Sequence, residues 1–295
     1  MSAFSPEALL ARQIEALEAQ LSEAVQGSVK GIHQARVASR RLREVLPIVG
    51  PPAGKRHLQE AERRIRDLTR LLGPVRELDV SLELLAELKV TPAAAAAFPP
   101  LRALVAAERQ HRRRRLTATL DGKLARATLR SVRAVLERIA TTSDSSWRDR
   151  ATERARTRAA TFITTMYAVG ALFDSARLHA VRIAAKKLRY AVELVDDAGL
   201  FHTGKALDVL KRTQEQLGRL HDLQVVLVFA RAPELAAGPR RNELAALREQ
   251  LERECHVEHG RYLRRRKRLL AVADRIIDGL APQPPHRIPS RSARS

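Results

Sequence analysis

A chain of 295 residues with 54 Lys and Arg against 33 Asp and Glu, and so a formal net charge of +21, is long enough for one large domain or two small ones around a well-buried core. At 45% apolar and 29% charged residues it is too hydrophobic for a disordered polycation, and no run approaches the roughly 18 consecutive apolar residues that a membrane-spanning helix needs. The single Cys255 excludes an intrachain disulfide framework and a cysteine-based zinc site, and the opening segment, broken by Glu7, Arg12, Glu15 and Glu18, lacks the apolar stretch of a secretory signal; both point to a cytoplasmic protein.

Nearly every segment reads as helix. Ser5 is placed as an N-cap with Pro6 at the first helical position, and Leu9, Leu10, Ile14, Leu17 and Leu21 follow at helical spacing over residues 5–26. Comparable patterns cover about 28–49, 55–72, 74–88, 101–120, 122–140, 147–173, 175–198, 203–232 and 239–278. Breakers fall between them at Pro47 with Gly50-Pro51-Pro52, Gly73-Pro74, Pro99-Pro100, Asp121-Gly122, Gly199 and Gly238-Pro239. In particular, Leu72-Gly73-Pro74 reads as the end of one helix and the start of the next. The last segment, 281–295, has four Pro, three Arg and no acid, which predicts a disordered basic tail.

The chain also matches itself. HQARVASRRLR at 33–43 aligns with HAVRIAAKKLR at 179–189, with five identities and three conservative changes. LLGPVRELDV at 71–80 aligns with QLGRLHDLQV at 216–225, with Gly73 over Gly218. Two ordered matches at nearly one offset predict a tandem duplication. The expected architecture is all-α: two four-helix-bundle-like halves, 1–140 and 147–280, joined by a polar linker at 141–146. A looser recurrence of Arg-rich sequence, 109–115 and 261–268, marks a secondary basic surface or a solvated face.

On a helix His33, Arg36, Arg40 and Arg43 form one stripe about 15 Å long. His179, Arg182, Lys186 and Arg189 repeat it at identical steps. An apolar face beside each stripe lets the helix pack while it presents a row of cations. Like charges at this spacing cost a few tenths of a kcal/mol each, so such a row calls for an anion. The alternatives are a solvated face, or pairing with acids such as Glu77, Asp79 and Asp222. For the two histidines the alternatives are a satisfied packing role, metal binding or phosphoryl acceptance, and a metal site through Glu77, Asp79 and Asp222 is a further one. Arg makes up 45 of the 54 basic residues, which suits forked recognition of phosphate oxygens and is equally explained by a GC-rich genome. Only ten residues are Phe, Tyr or Trp, which argues against single-stranded nucleic acid and its stacking platforms. GLFHTGKA at 199–206 spells GxxxxGK, but Ala206 stands where the magnesium-binding hydroxyl belongs and a helix precedes it, so no phosphate-cradling loop is expected.

The motifs HxxRVAxRRLR, LGPVRELDV, LHAVRIAAKKLRYAVEL and LGRLHDLQV, in that order, closely resemble the CHAD family, named for histidines in an α-helical domain. The resemblance spans roughly residues 5–278. It implies two helical bundles about a pseudo-twofold axis around a basic groove or pore, non-catalytic binding of inorganic polyphosphate, and association with polyphosphate granules. The family's basic motif maps onto His33, Arg36, Arg40, Arg41 and Arg43, and onto His179, Arg182, Lys186, Lys187 and Arg189. Arg66 and Lys211, at equivalent positions one to two turns before Gly73 and Gly218, join the polyphosphate-binding candidates. No cofactor or metal is implied. Glu77 stands where the family usually has Asp, and Gln224 replaces an acid. Nucleic acid is the alternative polyanion, and a metal-dependent phosphohydrolase the third reading; no sequence motif for reading DNA or RNA is present.

Overall fold

The hydroxyl of Ser5 accepts from the amide of Ala8 at 3.1 Å and Pro6 opens α1 (Pro6–Val25), as the sequence requires. The structure is a computed structural model that describes residues 5–236 and 240–281, and among these it is helical throughout with no strand. Ser28 caps α2 (Val29–Val49). A short 3₁₀ turn, Pro51–Ala53, leads to α3 (Lys55–Glu87), and a second, Pro92–Ala97, leads to α4 (Phe98–Thr119). Asp121 caps α5 (Gly122–Ile139), whose end passes through the polar segment 141–146 into α6 (Trp147–Ala168). Asp174 caps α7 (Ser175–Asp197); α8 (Lys205–Ala230), the single turn α9 (Pro233–Ala236) and α10 (Arg241–Gly279) complete the chain. The break at Gly238-Pro239 falls in a gap of the described residues, and the basic tail beyond Ala281 lies outside them.

Two expected breakers do not break the chain: Pro47 lies inside α2, and the boundary at Gly73-Pro74 is absent. Helix α3 runs unbroken through Gly73 and Pro74. A proline inside a helix removes one hydrogen bond and costs about 3 kcal/mol. Leu68, Leu72, Val75 and Leu78, all buried around that point, contribute about 1.5–3 kcal/mol each. Burial therefore decides the outcome, with Pro74 itself turned to the outside.

The helices pack in a repeated order. α1 lies on α2, α2 on α3 and α3 on α4; α6 lies on α7, α7 on α8 and α8 on α10. α5 covers α1 and α3, and α10 also covers α6. Close approach of α2 to the end of α1 depends on Gly31, where a Cβ would come within 2.5 Å of the Glu23 side chain. The two helical groups meet along α3 and α8, and along α2 with α6 and α7. At that seam Glu44, only 6% exposed, accepts from Arg154 Nε at 2.7 Å and from Arg158 Nη2 at 3.1 Å. On the far side Gln250 of α10 clasps the 88–91 connection, accepting from the Thr91 amide and donating to the Lys89 carbonyl.

Candidate functional site

Helices α2, α3, α7 and α8 enclose a cavity of about 590 Å³. His33, Arg36 and Arg40 reach it from α2, and His179, Arg182 and Lys186 from α7. Both basic rows therefore face one groove. Each row points inward because the opposite faces of its helix are core: Ile32, Ala35, Leu42 and Leu46 on α2, and Leu178, Val181, Ala185 and Leu188 on α7, are all nearly or fully buried. Gly218 lines the groove and Gly73 lies against the Arg36 guanidinium, 3.9 Å from where its Cβ would be. The paired glycines leave room beside the cations, and Gly73 is a spacer within a helix and not a helix end.

Arg36, Arg40, Arg182 and Lys186 line one stretch of the groove, close enough for charge on one to act on another. Burial, then Arg40 and Arg182, brings the Arg36 guanidinium down to about 9, so it stays charged at neutral pH. Burial, then Arg182, Arg40 and Arg36, takes the Lys186 ammonium down to about 6. Arg182 is lowered by burial and by Arg40, against the opposing pull of Asp222. Among the described residues none of the four has a carboxylate within ion-pair distance, although the protein contains many such pairs elsewhere. The Nε atoms of Arg36 and Arg182 are buried without any hydrogen-bond partner. Buried unpaired donors are expensive and rare in native proteins.

Of the five acids that line the groove, Glu215 is exposed, and Glu77, Glu83, Glu87 and Asp222 are engaged elsewhere or held back. Glu83 binds Arg76 at 2.9 Å, and Glu87 lies 3.7 Å from Arg219. Burial raises the Asp222 carboxyl above the usual range, with Arg182 pulling the other way. The hydrogen bond from His221 is the main reason the Glu77 carboxyl lies below its ordinary value. Glu77 Oε1 is 3.3 Å from His221 Nε2, and His221 Nδ1 is 3.3 Å from His179 Nδ1. Both stripe histidines are lowered chiefly by burial, His33 then by Arg76 and His179 then by His221. Asp79 does not face the groove; its buried carboxylate accepts from Arg109 Nε of α4 at 2.8 Å. Among the described residues no group of three or more His, Cys, Asp or Glu is arranged to hold a metal ion.

The remaining sequence candidates lie around the groove and not in it. Arg41 is 3.6 Å from Glu193. Arg189, on the stripe by spacing, is held by Glu193 and by Gln214 Oε1 at 2.7 Å, and its guanidinium covers the Tyr190 ring. Lys187 faces the seam of Glu44, Arg43, Arg154 and Arg158. Arg43 sits one turn beyond Arg40, near Arg66 and Arg70. Arg66 and Lys211 are exposed on α3 and α8. In the Arg-rich segments Arg109 is taken by Asp79, Arg112 by Glu108, Arg261 by Glu258 and Arg265 by Gln216. Sequence reasoning did not single out Tyr190, Arg219, or the partnership of Glu77 with His221. The repeat held a trace of the last, because His221 aligns with Arg76 and so marks where the halves differ.

The CHAD domain family model matches residues 8–231. A crystal structure of the CHAD domain from the plant Ricinus communis superposes with a TM-score of 0.60 at 25% identity, covering 95% of this chain and 91% of that one. No curated protein matches the sequence. Among the described residues no helix is long and apolar enough to cross a membrane.

Proposed function

The chain belongs to the CHAD domain family, and from that premise we propose that it is a non-catalytic receptor for inorganic polyphosphate, bound in the groove between α2 and α7. The observation that carries this reading is the group Arg36, Arg40, Arg182 and Lys186: three guanidiniums and one amine that an anion would protonate, buried or half-buried in one cavity, none of them within ion-pair distance of a carboxylate among the described residues. Polyphosphate carries about one charge per phosphate and has no bases, so it needs a row of donors and no stacking surface. Arg and Lys supply charge-assisted hydrogen bonds to its oxygens. A cavity of about 590 Å³ suits a single unbranched anionic chain and not a duplex. Its one phenol ring, Tyr190, is covered by Arg189 and offers bases little to stack on.

Arg43, Arg66, Arg41, Lys187, Arg189 and Lys211 then serve as an outer ring that steers the polymer toward the groove. The halves 1–140 and 147–280, joined at 141–146, are read as a duplicated pair that shares one site. The cytoplasm, on polyphosphate granules, is the location this function implies. The test is a titration with long-chain polyphosphate at several salt concentrations, with duplex DNA as competitor at equal phosphate and free phosphate followed throughout. Tight binding that weakens steeply with salt, resists DNA and releases no phosphate is expected. Displacement by DNA would favour a nucleic-acid role, and liberated phosphate a hydrolase.

A further inference from the structure

A hydrogen-bonded chain runs from Glu77 on α3 through His221 on α8 to His179 on α7, and His179 lines the groove. Resting on the polyphosphate reading, we propose that this chain is a proton relay that decides whether His179 meets a phosphate oxygen with a lone pair or with an N–H. Glu77 and His221 are positioning residues in it, and His179 makes the contact.

The protonation states follow from the geometry. An ionised carboxylate only accepts hydrogen bonds, and His221 and Arg112 keep Glu77 ionised. His221 Nε2, 3.3 Å from Glu77 Oε1, therefore carries a proton. In a neutral His221 the other nitrogen, Nδ1, is a lone pair, so it accepts from Nδ1–H of His179 at 3.3 Å. Neutral His179 is then left with an unprotonated Nε2, which would set lone pair against lone pair when a phosphate oxygen arrives. One proton from solvent removes the conflict. It binds at Nε2 of His179, while the Nδ1 proton of His179 crosses to Nδ1 of His221. The pair gains one charge, which rests on His221 beside the Glu77 carboxylate, and His179 presents a donor.

The charged groups around the pair favour that placement. Arg182 and Lys186 on α7 act on His179, Arg112 of α4 is 3.7 Å from Glu77, and Asp222 is the neighbouring acid on α8. On α8 Arg219, which also lines the groove, lies 3.6 Å from Glu258 of α10, while Gln216, more than a turn before His221, donates to the Glu258 carbonyl and accepts from Arg265. The other half cannot do the same. Arg76 stands where His221 does, is committed to Glu83 at 2.9 Å, and has no lone pair to exchange.

The test uses the Lys186→Arg protein, so that no titrating lysine shares the groove. Long-range ¹H–¹⁵N spectra of its histidines are recorded with and without short-chain inorganic polyphosphate, and affinity is measured from about pH 8 to about pH 5.5, with Glu77→Gln and Glu77→Asp added separately. Loading should move the His179 proton from Nδ1 to Nε2. Glu77→Gln should weaken binding about tenfold near the upper pH, with the deficit closing near the lower one, and Glu77→Asp should restore most of it. An unchanged His179 tautomer, or an equal deficit at every pH, would overturn the relay while leaving the polyphosphate reading standing. Absence of saturable binding by the unmutated protein would overturn both.

Discussion

The two cationic helices carry residues at the same spacing into the same groove, yet they hold their charge by different means. On α2 the groove residues are the guanidiniums of Arg36, charged at neutral pH even at about 9, and Arg40, and His33 sits beside Arg76. On α7 the corresponding residues are Arg182 and Lys186, with Lys186 brought down to about 6, and His179 sits beside the titratable His221. One wall is a permanent anion acceptor and the other an adjustable one. A site built from two nearly alike helices can thereby keep a baseline affinity and still respond to conditions.

The largest effect should come from attacking both walls at once. Arg40→Glu with Lys186→Glu removes two cations and inserts two repelling charges, so polyphosphate affinity should fall at least a hundredfold, at about 1.5–3 kcal/mol per charged hydrogen bond. Circular dichroism should show helicity intact; retained affinity would mean that the groove is not the site. Next comes the seam that holds the walls together. Glu44→Ala leaves Arg154 and Arg158 without their shared carboxylate, and because both are partly exposed the loss should lie near the low end for a broken buried pair, about 2–3 kcal/mol in urea unfolding.

Proton linkage separates the walls directly. Phosphate oxygens should raise the Lys186 ammonium from about 6 toward its ordinary 10.5, so binding at neutral pH takes up a proton there and tightens as pH falls from 8 toward 6. Calorimetry in buffers of different ionisation heat should show that uptake, and Lys186→Arg should reduce it by about one proton, whereas Arg40→Lys on the other wall tests whether position or residue type sets the response. The sign in the free protein is the same in origin: the unfolded chain holds the Lys186 proton up to about 10.5 and the folded one only to about 6, so this residue makes stability rise with pH across that window. The smallest effect belongs to the outer ring. Arg66→Ala or Lys211→Ala should change affinity less than about threefold and act mainly on the association rate at low salt.

Much of this was legible in the sequence, for identifiable reasons. Helical period and capping residues located most helices, and two copies of one stripe made Arg36, Arg40, Arg182 and Lys186 stand out. Helical rotation also explains what the stripe alone did not divide. Arg41 and Lys187 follow their neighbours by one residue, a turn of 100°, and so leave the groove. Arg189 keeps the right angle, but Glu193 and Gln214 hold it. Pro74 misled because a local rule about helix ends was outweighed by burial on either side of it. The Glu77–His221 contact joins residues 144 positions apart on different helices, and the Glu44 seam joins α2 to α6. Only assembly of the two helical groups creates either, and no periodicity within one segment encodes them.

The unpaired cations also bear on how long the molecule survives in a cell. Held together without counter-charges among the described residues, Arg36, Arg40 and Arg182 repel one another in the empty protein and keep Lys186 from holding its proton, and an occupant of the groove relieves that repulsion. A ligand present at a hundred times its dissociation constant adds about 2.7 kcal/mol to folding stability. Proteases act on the opened chain, so the filled form should be degraded more slowly than the empty one. Abundance would then follow the supply of polymer without any change in synthesis, and turnover itself would become a gauge of the phosphate store.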